Sequence, residues 1–232
     1  MSLQKLGGLA CLFAAASFVF GLVIYVALLG PAAQASDSGD MPNRIAFLAA
    51  NRALMTVFNL VIYIAFGAAL VVLALALHRR TRLVSPAVSD VALAFALIWA
   101  ALVIAAGMIA NIGIGILVEL HARAPADAAL LWPAYVFVTN GLGGGNEIVG
   151  GIWILLVSAS SAPGSPLDPP LPRMVNLLGM VVGAAGLVTT IPALGELGAV
   201  FGIGAIVWFV LVGLVLLRSQ QGPAVRMSEP RA

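Results

Sequence analysis

Charged side chains are too scarce in this chain to cover a surface that faces water. Only 9% of its 232 residues are Asp, Glu, Lys or Arg, whereas 62% are hydrophobic. A soluble domain carries about a quarter charged residues, so most of this surface must face hydrocarbon. Backbone groups in hydrocarbon are satisfied only within helices or a closed barrel, and the long, non-alternating apolar runs here favour helices. The sequence therefore predicts an all-α, polytopic transmembrane bundle with no soluble domain.

Six apolar segments are long enough to cross a bilayer, for which about 20 residues suffice. We predict helices over residues 6–29, 47–77, 87–120, 132–158, 173–194 and 197–217. Ser89 and Asp90 are candidate N-cap residues of the third helix. Residues 219–232 are expected to form a polar C-terminal tail that is loosely ordered.

Basic residues divide unequally between the two sides of this six-span topology. One side collects Lys5, Arg79, Arg80, Arg82, Arg173, Arg218, Arg226 and Arg231, and the other collects Arg44, Arg52 and Arg123. Because loops rich in Lys and Arg stay in the cytoplasm, we expect both termini to be cytoplasmic.

Glu147 is the polar residue in the most costly position, near the middle of the fourth predicted helix. A charge at the bilayer centre costs about 2.5–3.5 kcal/mol on insertion scales. Asn140 lies two turns earlier on the same predicted face, and the glycines that begin at Gly143 permit a break such as transporters use at binding sites. Glu147 is therefore either a proton, cation or substrate site, or an interhelical hydrogen-bonding group between closely packed helices.

Polar side chains on the second predicted helix lie at depths from which they can reach this carboxylate. Asn59 and Tyr63 share a helical face with Arg52 by spacing, and Tyr63 is expected level with Glu147. We predict a hydrogen bond to Glu147 from Tyr63 or from Asn59.

Further polar residues fall in the outer half of the predicted bundle. Asn111 and Asn140 lie at similar depth and are candidates to hydrogen-bond each other. Arg52 either extends along lipid so that its guanidinium reaches water, or pairs with Glu119 or Glu196. Together these residues predict a polar pocket that opens to the outside.

Glycines and tryptophans suggest structural roles. The spacings Gly179-x-x-x-Gly183 and Gly198-x-x-x-Gly202 resemble close-packing motifs, within the subunit or between subunits. The four tryptophans (Trp99, Trp132, Trp153 and Trp208) are assigned in part to the aromatic belts at membrane interfaces.

No motif in the sequence indicates an enzyme, a metal centre or a cofactor. The sequence lacks a P-loop, a dinucleotide-binding GxGxxG unit and HExxH, and it lacks a GxSxG elbow. His78 and His121 are predicted to lie in loops at opposite faces of the membrane, too far apart to share a metal or haem. A formal net charge of only +2 gives no reason to expect a nucleic-acid partner.

The C-terminal third carries the clearest likeness to a known family, and the opening Leu6–Ala10 with its apolar run is also similar. The residues concerned are Pro172-Arg173, Leu177-Leu178-Gly179, Val182–Leu187, Gly202-Ile203-Gly204, Val207-Trp208-Phe209 and Gly213–Arg218. They resemble an uncharacterised bacterial membrane family, number four-three-eight-six among the domains of unknown function. This resemblance implies a six-helix bacterial inner-membrane protein and supplies no activity, ligand or catalytic residue.

Two functional classes follow from these observations. One is a small transporter or ligand-binding bundle with a polar site around Glu147. The other is a structural or accessory subunit that packs against further membrane proteins, or a second copy, through glycine-rich faces. An intramembrane enzyme ranks third. The expected partner in every case is the lipid bilayer, and no cofactor is expected.

Overall fold

The fold is a bundle of helices, described by a computed structural model over residues 1–30, 41–144, 147–160, 171–189 and 191–218. Regular structure in these ranges is entirely helical, which confirms the predicted all-α class. The helices are α1 (Leu3–Leu29), α2 (Met41–Ala50), α3 (Arg52–Thr81), α4 (Pro86–Arg123), α5 (Pro125–Ala159), α6 (Arg173–Val188) and α7 (Leu197–Arg218). By length and composition, α1, α3, α4, α5 and α7 can each cross a membrane, as expected of a membrane protein.

Several helix boundaries differ from those predicted. The segment 47–77 is divided between α2 and α3, because Asn51 leaves helical geometry at φ −113° and ψ 20°. The side-chain Nδ2 of Asn51 donates to the carbonyl oxygen of Phe47 at 3.0 Å, which stabilises this break. α6 has only 16 residues and ends at Val188, six residues before the predicted boundary. The predicted tail, 219–232, lies outside the described residues.

The turn between α3 and α4 is closed by a polar cluster rather than by the predicted N-cap. α4 begins at Pro86, so Ser89 lies inside the helix and is buried. Its hydroxyl lies 2.6 Å from the hydroxyl of Thr81 and 2.9 Å from Nδ1 of His78. Asp90 lies on the exposed side, with its Oδ1 3.6 Å from Nε2 of His78. These two predicted cap residues therefore join α3 to α4.

The six longest helices form a closed ring. α1 contacts α3, α3 contacts α4, and α4 contacts α5, while α6 packs between α5 and α7. α7 returns to contact α1, so the first and last helices of the chain complete the ring. Cys11 and Phe209 illustrate this closure, since the thiol of Cys11 lies 3.0 Å from the Phe209 carbonyl oxygen.

Aromatic side chains fill the middle of the ring. Trp99, Trp153 and Trp208 are each at most 1% exposed, and the ring centroids of Trp153 and Trp208 lie 5.6 Å apart. Their assignment to interfacial belts was therefore wrong for these three residues. Gly150 makes room for them, because a Cβ there would lie 2.8 Å from the Trp99 indole.

Glycines bring α5 and α6 into backbone contact. A Cβ on Gly151 would lie 2.7 Å from the Gly183 carbonyl oxygen, and a Cβ on Gly183 would lie equally close to that of Gly151. The Gly179–Gly183 motif therefore packs helices within the subunit, as small residues do in membrane bundles.

Different elements meet at the two ends of the bundle. At one end the amide of Gln4 donates to the Leu216 carbonyl oxygen at 2.9 Å, so the start of α1 lies beside the end of α7. Gly7 packs against Ala76, which places the last turns of α3 at the same end. At the opposite end α2 packs across α4 and α5 through a small apolar cluster that includes Ile45, Leu117 and Ala128.

Candidate functional site

Glu147 begins the second part of α5 and is half-buried. A π-helical turn spans Asn140–Gly144, and a 13-residue α-helix then runs from Glu147 to Ala159. At 1.5 Å per residue, Glu147 lies about 20 Å from the end of that helix. This distance is shorter than a hydrocarbon layer of about 30 Å, and the location of Glu147 near the bilayer centre stays a prediction.

The Glu147 side chain lines a cavity of about 240 Å³. Five helices contribute to its wall: α1, α3, α4, α5 and α7. The polar lining residues are Ser17, Tyr63 and Glu147; the aromatic ones besides Tyr63 are Phe18, Phe66 and Phe201; the remainder are Gly21, Leu22, Ile62, Val103, Gly143, Gly198 and Gly202. The carboxylate therefore faces a space that is mainly aromatic and aliphatic.

Tyr63 is the predicted partner that the structure brings nearest to Glu147. Its hydroxyl lies 3.1 Å from the position that a Cβ on Gly143 would take, and Gly143 is four residues before Glu147. Both side chains line the cavity. Within the described part of the chain, however, neither Tyr63 nor Asn59 hydrogen-bonds the Glu147 carboxylate, so that predicted bond is not formed.

Asn59 and Asn111 bond to each other instead. Nδ2 of Asn59 donates to Oδ1 of Asn111 at 3.0 Å, and Asn59 is only 6% exposed. This bond joins α3 to α4 and lies outside the cavity wall. The predicted pairing of Asn111 with Asn140 was therefore wrong.

Asn140 lies on the outer surface of α5 rather than beside Glu147. Its side chain is exposed and does not line the cavity. The prediction assumed a continuous α-helix, in which residues seven apart share a face. The π turn that starts at Asn140 widens the helix by about one residue per turn, so the faces before and after it no longer align.

Arg52 lies at the first turn of α3, at the end of the bundle opposite the termini. It is exposed, and its Nη2 lies 3.3 Å from the position that a Cβ on Gly115 would take. No ion pair with Glu119 or Glu196 is formed among the described residues. The alternative, in which the guanidinium extends to water at a membrane surface, stays a prediction.

No described basic side chain neutralises Glu147. Asp90, another acid of the described ranges, lies near His78 at the other end of α3, with 3.6 Å between its Oδ1 and Nε2 of His78. In the described ranges no Lys, Arg or His lines the cavity, and no group of three His, Cys, Asp or Glu is arranged there to hold a metal. The site is therefore a single carboxyl group with aromatic neighbours.

Most of the lining residues that the sequence did not identify come from α1 and α7, and Ile62, Phe66 and Val103 of α3 and α4 complete them. Ser17 and Phe18 lie on α1, and Phe201 and Gly202 on α7. Each is common in a membrane helix, and nothing in the sequence indicates that the first and last helices meet. The one available signal was the Gly198-x-x-x-Gly202 spacing, which lines the cavity instead of packing helices.

The geometry thus defines a carboxylate-bearing cavity between the helices of a membrane bundle. No protein-family model, curated protein or solved structure matches the chain, so the resemblance to the uncharacterised bacterial family stays a prediction.

Proposed function

We propose that the protein is a bacterial inner-membrane bundle that binds a small solute at Glu147, as a small transporter or ligand-binding protein. One observation supports this proposal above the others. A carboxylate deep within the bundle faces a cavity of about 240 Å³ and has no cationic partner among the described residues. Placing an acid there costs free energy, and a bound solute is a partner that offsets the cost.

The proposed orientation places both termini in the cytoplasm. Lys5, Arg79, Arg80, Arg82, Arg173 and Arg218 lie in or near the end of the bundle where α1 begins and α7 ends. Under the positive-inside rule this is the cytoplasmic end. The cavity then lies towards the outer half, because its α7 residues are in the first two turns of that helix.

The decisive experiment compares the solutes that co-purify with the parent chain and with Glu147→Gln. Both proteins are purified in mild detergent, and small molecules released on denaturation are identified by mass spectrometry. We expect the parent to release a solute that Glu147→Gln retains at least about tenfold less, which corresponds to about 1.4 kcal/mol of binding free energy.

Glu119→Gln is the matched control for this experiment. Glu119 is an exposed acid on α4, away from the cavity. Its amide variant is expected to release the same solute as the parent. Identical small-molecule profiles from all three proteins would contradict the proposal.

An accessory role, in which glycine-rich faces bind other membrane proteins, has less support. Gly151, Gly179 and Gly183 are already occupied by contacts within the chain. This alternative predicts a membrane protein that co-purifies in fixed stoichiometry and is unaffected by Glu147→Gln.

A further inference from the structure

We propose that the ligand of the Glu147 cavity is a lipophilic organic cation with one positive charge, admitted through a lateral opening between α1 and α7. This inference rests on the proposed function and specifies its ligand class and its route. Three properties of the cavity support it: its charge, its aromatic wall and its opening.

The charge of the lining selects a cation. Among the lining residues that the structure describes, Glu147 is the sole carboxyl group, and no Lys, Arg or His accompanies it. One negative charge in a poorly solvated site favours one positive charge, and an anion there would meet repulsion with nothing to offset it. A bare divalent metal ion is a poor match, because Mg²⁺ and Ca²⁺ take six or more oxygen ligands.

The aromatic wall selects an organic cation over an inorganic one. The rings of Phe18, Tyr63, Phe66 and Phe201 all line the cavity. Aromatic faces attract ammonium groups, and sites for quaternary ammonium ligands use such rings. The volume of about 240 Å³ is slightly below the roughly 300 Å³ at which ligand pockets commonly begin, so the ligand must be small.

The opening lies where α1 and α7 separate. Near their cytoplasmic ends the helices touch: a Cβ on Gly8 would lie 3.2 Å from the Gly213 carbonyl oxygen. Towards the other end no neighbouring atom of the described residues lies within 4 Å of the Cβ position of Gly202. A Cβ on Gly198 would meet, among those residues, only Thr189, at 3.9 Å.

The other flank of the opening faces outwards. Leu22, on α1, lines the cavity and is nevertheless 46% exposed. In a membrane this side of the bundle faces lipid, so a solute dissolved in the bilayer can reach Glu147 without crossing the ends of the bundle. A ligand that enters from lipid must itself be lipophilic.

The test uses benzyltrimethylammonium and neopentylbenzene, its uncharged carbon analogue of nearly identical shape. Equilibrium binding of each is measured to the full chain in nanodiscs of phosphatidylcholine, a lipid without net charge. We expect saturable binding of the cation and at least about tenfold weaker binding of the neutral analogue. This comparison needs no variant, so it stands even if a substitution prevents folding. Equal affinity for the two probes would overturn the assignment of a cation.

Two variants then locate the site and its opening. Glu147→Gln is expected to weaken cation binding at least about tenfold and to leave the neutral analogue unaffected. Gly202→Leu, which places a side chain in the opening, is expected to slow association of the cation at least about tenfold. Gly141→Leu is its matched control, since Gly141 also has no neighbouring atom of the described residues within 4 Å of its Cβ position but lies outside the cavity wall. Unchanged association in Gly202→Leu would overturn the lateral route.

The outcomes separate this inference from the function on which it rests. Failure of the cationic probe to bind, together with loss of a co-purified neutral or anionic solute in Glu147→Gln, overturns the ligand class and leaves the proposed function in place. Failure of the probe together with identical co-purified profiles overturns both.

Discussion

At the scale of single residues, the buried hydroxyl groups of Ser89 and Ser158 contribute differently to the stability of the bundle. Ser89 lies within 3 Å of polar atoms on Thr81 and His78, whereas the hydroxyl of Ser158 is fully buried without a hydrogen-bond partner in the described ranges. A made hydrogen bond contributes about 0.5–1.5 kcal/mol, and a buried group left unpaired is unfavourable.

We therefore predict opposite effects of removing the two hydroxyls. Ser89→Ala should lower the free energy of unfolding by about 1 kcal/mol, because Thr81 and His78 lose a partner. Ser158→Ala should leave it unchanged or raise it. Reversible unfolding of the purified variants in mixed detergent micelles measures both. A loss in Ser158→Ala as large as that in Ser89→Ala would show that Ser158 is hydrogen-bonded in the membrane.

The sequence identified Glu147 but not its surroundings. The cost of a carboxyl group depends on residue type and depth, and both can be estimated from the sequence. The neighbours of Glu147 depend on which helices touch and on the local helical register. The sequence places Asn59 and Asn111 as polar residues within the membrane, but only the structure shows that they hydrogen-bond each other.

At the scale of elements, π turns explain why the sequence placed Asn140 on the same helical face as Glu147. They occur at Tyr25–Leu29, Leu60–Ala65 and Asn140–Gly144. Each disrupts the 3.6-residue period on which spacing arguments depend. The second contains Tyr63 and the third precedes Glu147, so two of the three adjoin the cavity. Such turns occur frequently at functional sites and have no simple sequence signature.

The two glycine motifs of the last helices give a second prediction, because they differ in what surrounds them. Gly183→Ala should lower the free energy of unfolding by about 1–3 kcal/mol, since the new methyl group would meet the backbone of α5. Gly202→Ala should change it by no more than about 0.5 kcal/mol, since the space there is open. Unfolding of both variants in mixed detergent micelles tests this prediction. An equal loss of unfolding free energy in Gly183→Ala and Gly202→Ala would mean that α1 and α7 are in contact at Gly202.

At the scale of the whole molecule, the composition was sufficient to predict the fold class but not the arrangement of the helices. A chain with 9% charged residues has few alternatives to a membrane bundle. The order of helices around the ring follows from side-chain packing and glycine contacts between distant segments. α4 is longer than the layer requires, as its predicted bounds already implied: its 38 residues extend about 57 Å, so it must tilt or leave a hydrocarbon layer of about 30 Å.

The proposed orientation of the chain in the membrane gives the third prediction. Single cysteines are placed at the exposed positions Leu83 and Ala126, in a chain whose buried Cys11 is replaced by Ala. A membrane-impermeant maleimide should label Ala126→Cys in intact cells with a permeabilised outer membrane. It should label Leu83→Cys only after the inner membrane is also opened. Labelling of both positions from the same side would contradict the six-crossing topology.

The closed ring also constrains how the protein is made. Cys11 and the residue whose carbonyl oxygen it contacts are separated by 198 positions, so α1 leaves the ribosome long before its partner α7 exists. During that interval the face around Gly7 and Gly8 lacks α7. Assembly of the cavity around Glu147 is therefore a late step of biosynthesis, and in a nascent chain that stops before α7 this cavity lacks one wall.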